Sequence, residues 1–282
     1  MHFGASTFIW VSPFSNATLD LIDKVAEFGF DLIEICIEDP ATIDTSAIAK
    51  RLYKARIQAT VCGAFGPDRD ISSDEAGKRE NGLAYIARCV DIAVQLGSPL
   101  VAGPMYSAVG KTRLLSKPER EAQWALSINS MKIASDYAEA RGIKLAVEPL
   151  NRFETDLLNT VEQGVDWLDR LGRENVGLLI DTFHMNIEER SIPDAIRLAG
   201  KKAFHFHSCA NDRGTPGMDH LSWSAISEAL REIHYAGATV IEAFTPEVRE
   251  IARAVSIWRP LAKSQDALAR DGLSFLQKTF TN

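Results

Sequence analysis

The sequence has no CxxC pair; its four cysteines, Cys36, Cys62, Cys89 and Cys209, are scattered along the chain. That argues against a zinc ribbon and against a small disulfide scaffold. Positive charge is not in excess either. Lys and Arg number 31 against 38 Asp and Glu, a formal net charge of −7, which disfavours a strongly basic nucleic-acid binder. No apolar run approaches the roughly 20 residues that span a bilayer, so no membrane partner is expected. Residues Met1–Thr7 hold no basic stretch followed by an apolar one, which predicts no secretory leader; a reducing cytoplasm is the expected location. Low complexity is absent too, since 46% hydrophobic and 24% charged residues with 18 Gly and 11 Pro sit near the globular average.

What the sequence does contain is a repeat. An amphipathic segment ends near a Gly, and a short apolar run follows. Leu19–Phe28 with helical spacing leads to Gly29 and then Asp31–Ile37; Glu121–Arg141 leads to Gly142 and Ile143–Val147; Ser224–Tyr235 leads to Gly237 and Ala238–Ile241. Gly just past a helix supplies the left-handed conformation there without a Cβ clash. A continuous apolar run is the mark of a parallel strand buried on both faces. Strands are predicted near 3–9, 31–37, 57–62, 99–103, 143–148, 176–181, 202–207 and 238–242. Helices are predicted near 18–28, 45–55, 79–96, 118–141, 160–171, 191–199, 222–235 and 247–258, with a short extra helix near 264–278. Eight βα units in one domain of residues 1–282 predict an α/β fold, a (β/α)8 barrel with a short C-terminal helical extension. An open doubly wound sheet is the alternative. Cys36 and Cys62 fall on strands and Cys89 on a helix.

The last four predicted strands each close on one potential ligand: Val147-Glu148, Ile180-Asp181, Phe206-His207 and Ile241-Glu242. In a barrel the C-terminal strand ends share one rim, where the βα loops build the active site. Glu148, Asp181, His207 and Glu242 are therefore directed at one point. Taken singly, an acid after a strand is equally well a helix cap or a solvated group. Four on consecutive strands are better explained by a cation, because carboxylates are seldom buried unpaired. Three carboxylates and one imidazole form an oxygen-rich, fairly hard donor set for one divalent metal ion. Mn²⁺ fits it best, with Mg²⁺, Co²⁺ or Zn²⁺ as alternatives.

Around these ends the stretches Glu148-Pro149-Leu150-Asn151-Arg152-Phe153-Glu154 and Asp181-Thr182-Phe183-His184-Met185-Asn186 resemble the ketose 3-epimerase (D-tagatose/D-allulose 3-epimerase) family of xylose-isomerase-like barrels. The ligand spacings of 33, 26 and 35 residues agree with that family, and the resemblance extends from about residue 30 to Ile257-Trp258-Arg259. It implies that Glu148 and Glu242 form an acid/base pair as well as holding metal, and that Glu154, His184 and Arg213 contact substrate oxygens. The bland alternatives are a helix-start carboxylate for Glu154, a structural role for His184 on the loop after the sixth strand, and a solvated loop charge for Arg213. The resemblance also implies a homo-oligomer, a dimer or tetramer, acting on a small sugar. The implied reaction is inversion of a ketose at C3 by proton removal and return through an enediolate.

Two departures bear on substrate. Ala210 stands where many family members carry Glu, and the loop Gly103–Thr112 differs from familiar members; a larger sugar such as a 3-keto-glycoside could fit. Met105 and Tyr106 on that loop are pocket wall or core packing. Gly103…Gly110-Lys111-Thr112 is no P-loop, because six residues separate the glycines where four are required. His220 and Trp223 shape the rim or pack. An isomerase moving the carbonyl between C1 and C2 would use similar ligands. A multi-metal nuclease of the same barrel type would need more than the six histidines present, and a non-catalytic sugar binder would not need both Glu148 and Glu242.

Overall fold

Eight short apolar runs pair edge to edge into a closed ring of parallel strands in the computed structural model, which describes residues 1–280; Thr281 and Asn282 lie outside the described residues. The strands are β1 (His2–Ser6), β2 (Leu32–Ile37), β3 (Gln58–Gly63), β4 (Leu100–Gly103), β5 (Lys144–Val147), β6 (Val176–Asp181), β7 (Ala203–His207) and β8 (Ala238–Ile241). Their order around the barrel is their order in the chain, and β1 closes on β8 through Phe3 opposite Thr239 and Gly4 opposite Val240. The open sheet is thereby excluded.

The helices that follow the strands are α1 (Asp20–Glu27), α2 (Thr45–Ala55), α3 (Ala76–Leu96), α4 (Lys117–Glu139) and α5 (Val161–Leu171), then α6 (Thr182–Glu188), α7 (Ile192–Ala199), α8 (Trp223–Glu232), α9 (Arg249–Ala254) and α10 (Gln265–Phe280). Two differ from the sequence reading. Helix α6 springs directly from β6, so His184 sits on a helix and not on a loop. Helix α9 is much shorter than the predicted 247–258. The C-terminal helix α10 lies where it is predicted, within two residues at each end, and Trp10 Nε1 donates to its Asp266 at 2.7 Å. The helix-ending glycines hold at Gly29 and Gly142, with φ of 90° and 70°. At α8 the helix stops earlier, and His234 takes the left-handed turn (φ 54°) in place of Gly237.

Alternation along the strands divides the core from the site. On β2, Ile33, Ile35 and Ile37 are fully buried in the main apolar cluster with Ile22 of α1 and Ile48 of α2; each such side chain contributes about 1.5–3 kcal/mol on burial. Glu34 and Cys36 point the other way. On β7, Phe206 packs beside Tyr235 and Phe280, while His205 and His207 both reach Glu34 across the barrel. The β6–β7 register shifts between Leu178 and Leu179, so that Leu179 pairs His205 and Asp181 pairs His207. That irregularity levels the two strand ends that carry Asp181 and His207.

Candidate active site and metal centre

The four strand-end residues converge. Donor atoms of Glu148, Asp181, His207 and Glu242, all buried, lie within 4.8 Å of one another. His207 Nδ1 stands 3.6 Å from Asp181 Oδ2, 3.5 Å from Glu242 Oε1 and 4.0 Å from Glu148 Oε1. Neither His207 Nδ1 nor Glu148 Oε1 has a hydrogen-bond partner among the described residues, although both are buried. An unpaired buried polar atom is costly, and carboxylates ringed about an imidazole nitrogen need positive charge between them. This donor chemistry fits a divalent cation; these residues could hold one.

Local chemistry fixes each member. Asp181 caps α6, its Oδ1 accepting from Phe183 N at 2.6 Å and His184 N at 3.2 Å, which leaves Oδ2 for the cluster. Cys209 Sγ donates to that Oδ2 at 2.9 Å. Thr182 Oγ1 donates to the Cys209 carbonyl at 2.6 Å, tying the start of α6 to the segment after β7. His207 is set from behind: Glu34 Oε1 lies 2.8 Å from its Nε2, and Glu34 Oε2 lies 2.6 Å from His205 Nε2 and accepts from Thr60 Oγ1 at 3.2 Å. With Nε2 as donor, Nδ1 is the nitrogen left to offer its lone pair to a cation held in the cluster.

The electrostatics follow from burial and close charges. Burial, and then the charge of Glu242, push the Glu148 carboxyl well above the ordinary carboxylate range. Burial acts the same way on Asp181 and Glu34, but His207, with Arg213 beside Asp181 and the hydrogen bond of His205 to Glu34, outweighs it and holds both carboxyls well below that range. Burial alone would make His207 harder to protonate; the charges of Glu34 and Glu242 reverse this and raise it well above the usual imidazole value.

Glu154, His184 and Arg213 stand beside the cluster. Glu148, Glu242 and these three line one cavity of about 330 Å³, whose other wall is apolar, with Phe8, Cys62, Phe65, Pro104, Val109, Leu150 and Phe244 among its residues. Arg213 is buried with a left-handed backbone (φ 63°), so it is no solvated loop charge. Its guanidinium lies between the rings of Phe183 and Phe244, 4.1 and 4.7 Å from their centroids. From there it reaches Glu242 Oε2 and Glu154 Oε1, each at 3.2 Å. Glu154 is in a turn after β5, held by Asn151 Nδ2 at 2.8 Å, and is not a helix-start carboxylate. His184 Nδ1 accepts from Asn151 N at 3.0 Å, which turns its Nε2 toward Glu148 Oε1, 3.6 Å away. Burial, reinforced by the Arg213 charge, lowers the His184 pKa, so this ring is neutral near neutral pH.

The loop after β4 divides its roles. Pro104 and Val109 line the cavity, whereas Met105 and Tyr106 are fully buried and Tyr106 Oη donates to the Leu158 carbonyl at 3.1 Å; they are packing. Lys111 Nζ pairs with Asp70 Oδ2 at 2.6 Å, which clamps this loop to the one after β3. Trp223 packs against Phe275, and the exposed His220 meets Asn186. Ala210 is buried.

Strand ends alone did not point to Glu34, His205, Cys209 or the aromatic pair around Arg213. Two signals were present: an acid in the middle of the apolar run Leu32–Ile37, and a second His two residues before His207.

Comparison with known proteins agrees with this geometry. Residues 22–279 match the family model described as xylose isomerase-like TIM barrel. The chain is 34% identical over 280 residues to a probable ketose 3-epimerase of Synechocystis sp., covering 99% of this chain and 97% of the relative. It is 33% identical to a D-psicose 3-epimerase of Agrobacterium fabrum, with 94% of each covered. A solved structure of D-allulose 3-epimerase from Methylomonas sp. superposes with a TM-score of 0.93 at 29% identity, covering 99% of this chain and 98% of that one. The chain belongs to the xylose isomerase-like TIM barrel family, and its matched relatives within it are carbohydrate epimerases.

Proposed function

We propose that the chain is a metal-dependent ketose 3-epimerase, inverting C3 of a small unphosphorylated ketose of the D-tagatose, D-allulose or L-ribulose type. The observation that carries this reading is a hard donor set two of whose carboxylates, Glu148 and Glu242, line the same cavity. With a divalent cation bound by Glu148, Asp181, His207 and Glu242, a C2 carbonyl is polarised and the charge left at C3 on deprotonation is offset. Mn²⁺ is the proposed ion.

The chain's own residues then move the proton. Glu148 on the β5 side and Glu242 on the β8 side approach the cavity from different strands, so one can take the C3 proton while the other returns a proton to the opposite face. Arg213, Glu154 and His184 supply polar contacts to sugar oxygens: Arg213 donates, Glu154 accepts, and neutral His184 offers its Nε2 proton. The aromatic rings on either side of Arg213 keep its guanidinium in one orientation. The apolar wall of Phe8, Phe65, Leu150 and Phe244 excludes water from that half of the cavity.

Residues 1–282 are proposed to act as one domain, assembled as a homo-oligomer. Phe153, Met218 and Trp258 are exposed on segments after β5, β7 and α9; sedimentation velocity tests whether a second copy covers them. All four cysteines are free and buried, which suits the proposed cytoplasmic location. No helix among the described residues is long and apolar enough to cross a membrane. A panel of free ketoses, with Mn²⁺ restored after chelation, tests the function. C3 epimers as products support it; carbonyl migration to C1 or activity on keto-glycosides alone overturns it.

A further inference from the structure

The side of the barrel away from the carboxylate-rich strands carries a second donor set, whose two thiols have no use in the proposed epimerase chemistry. Cys36 on β2 and Cys62 on β3 are register partners. Their sulfurs and one oxygen of Glu34 lie within 4.8 Å of one another, all buried. Neither thiol is in a disulfide. Ser6 of β1 adds a neutral oxygen, its Oγ 3.3 Å from Cys36 Sγ.

Glu34 has capacity left for a further partner. An ionised carboxylate offers about four lone-pair directions. His205 and Thr60 occupy two on Oε2 and His207 occupies one on Oε1, which leaves one on Oε1. Access exists as well, because Cys62 lines the sugar-sized cavity and so borders the route from solvent. Two thiols and one or two oxygens, close enough to share a single ion, make a softer set than the one on β5–β8.

We propose that Cys36, Cys62 and Glu34 form a second cation site for a thiophilic divalent ion such as Zn²⁺ or Cd²⁺. Ser6 Oγ or a water completes the shell. Binding releases the two thiol protons to solvent and forms two metal–sulfur bonds, with no change of oxidation state. Without such an ion the hydrogen bond to Cys36, and then burial, keep Cys62 a protonated and unreactive thiol. An occupied site draws on the carboxylate that orients His207, so the ion is inhibitory from a position that added Mn²⁺ does not contest.

The probe is Cd²⁺ added to the full chain preloaded with Mg²⁺. A sulfur-to-cadmium charge-transfer band should rise in the ultraviolet and saturate at one ion per chain. Cys36→Ser and Cys62→Ser should each abolish the band, and Cys89→Ser on α3 should leave it. Cadmium NMR of the unaltered protein should show a resonance shifted by sulfur ligation, which keeps the test independent of how the variants fold. No band, a band that survives both serine variants or falls only with Cys209→Ser, or a resonance confined to the oxygen and nitrogen range overturns the proposal. These readouts do not depend on turnover, so failure of the epimerase reading would leave them unchanged.

Discussion

Glu34 Oε1 lies 2.8 Å from His207 Nε2, deep in the barrel and on the side of the imidazole away from the carboxylate cluster. An ionised glutamate can only accept there, so the ring nitrogen facing it carries a proton and Nδ1 is the nitrogen left for a cation held with Asp181, Glu148 and Glu242. Glu34→Gln replaces an acceptor with a group that can also donate and removes the charge. Affinity for Mn²⁺, measured by calorimetric titration of chelator-treated protein, should fall by about 10–100-fold. Unchanged affinity would show that His207 is oriented by something else.

Arg213 touches two carboxylates from one buried, aromatic-flanked position. Arg213→Lys keeps the charge and loses the planar fork. Loss of one charge-assisted hydrogen bond is worth about 1.5–3 kcal/mol, so kcat/KM for a ketose should drop by roughly 10–100-fold. Steady-state kinetics checks this, and a variant with native kcat/KM would remove Arg213 from the sugar site.

The Asp70–Lys111 pair should make stability acid-sensitive. Burial would raise the Asp70 carboxyl, but Lys111 and the Ser72 hydrogen bonds outweigh it and hold the folded value below the ordinary 3.8. A group depressed on folding stabilises fully above its unfolded value and loses that contribution as pH falls through the folded one. Asp70→Asn should therefore cost about 1–3 kcal/mol near neutral pH, and the gap in Tm between variant and parent should close in acid. A gap that widens in acid contradicts the sign.

Gly103 ends β4 with φ of 124°, and a Cβ there would lie 2.8 Å from the Gly63 carbonyl oxygen. Gly103→Ala should destabilise by about 1–3 kcal/mol through backbone strain and crowd the β3–β4 rim. Thermal unfolding is the check; an unchanged Tm would mean that the rim yields without cost.

Much of this was legible in the sequence because parallel-barrel strands are buried on both faces and read as apolar runs. The residue closing each run then marks the rim, which is why Glu148, Asp181, His207 and Glu242 stand out. The helix α6 was not legible, since its seven residues follow Asp181 without a break and Asp181, its cap, reads only as a strand end. The shortness of α9 and the switch from Gly237 to His234 arise from where a helix chooses to stop, which packing decides over local propensity. Glu34 escaped because its partners are on β7, 171 and 173 residues away in the chain; such pairing is a property of the closed barrel. Met105 and Tyr106 could have served either purpose until packing against the Leu158 segment decided it.

The central claim is that Glu148 and Glu242 carry the C3 proton of a ketose. Turnover of D-allulose or D-tagatose by the Mn²⁺-loaded protein in deuterium oxide, followed by NMR of the recovered sugars, tests it most directly. The epimerised product should carry solvent deuterium at C3 and none at C1, and Glu148→Gln or Glu242→Gln should abolish the exchange in a chain that still melts cooperatively. Epimer formed without deuterium at C3, or with both variants fully active, would contradict the account.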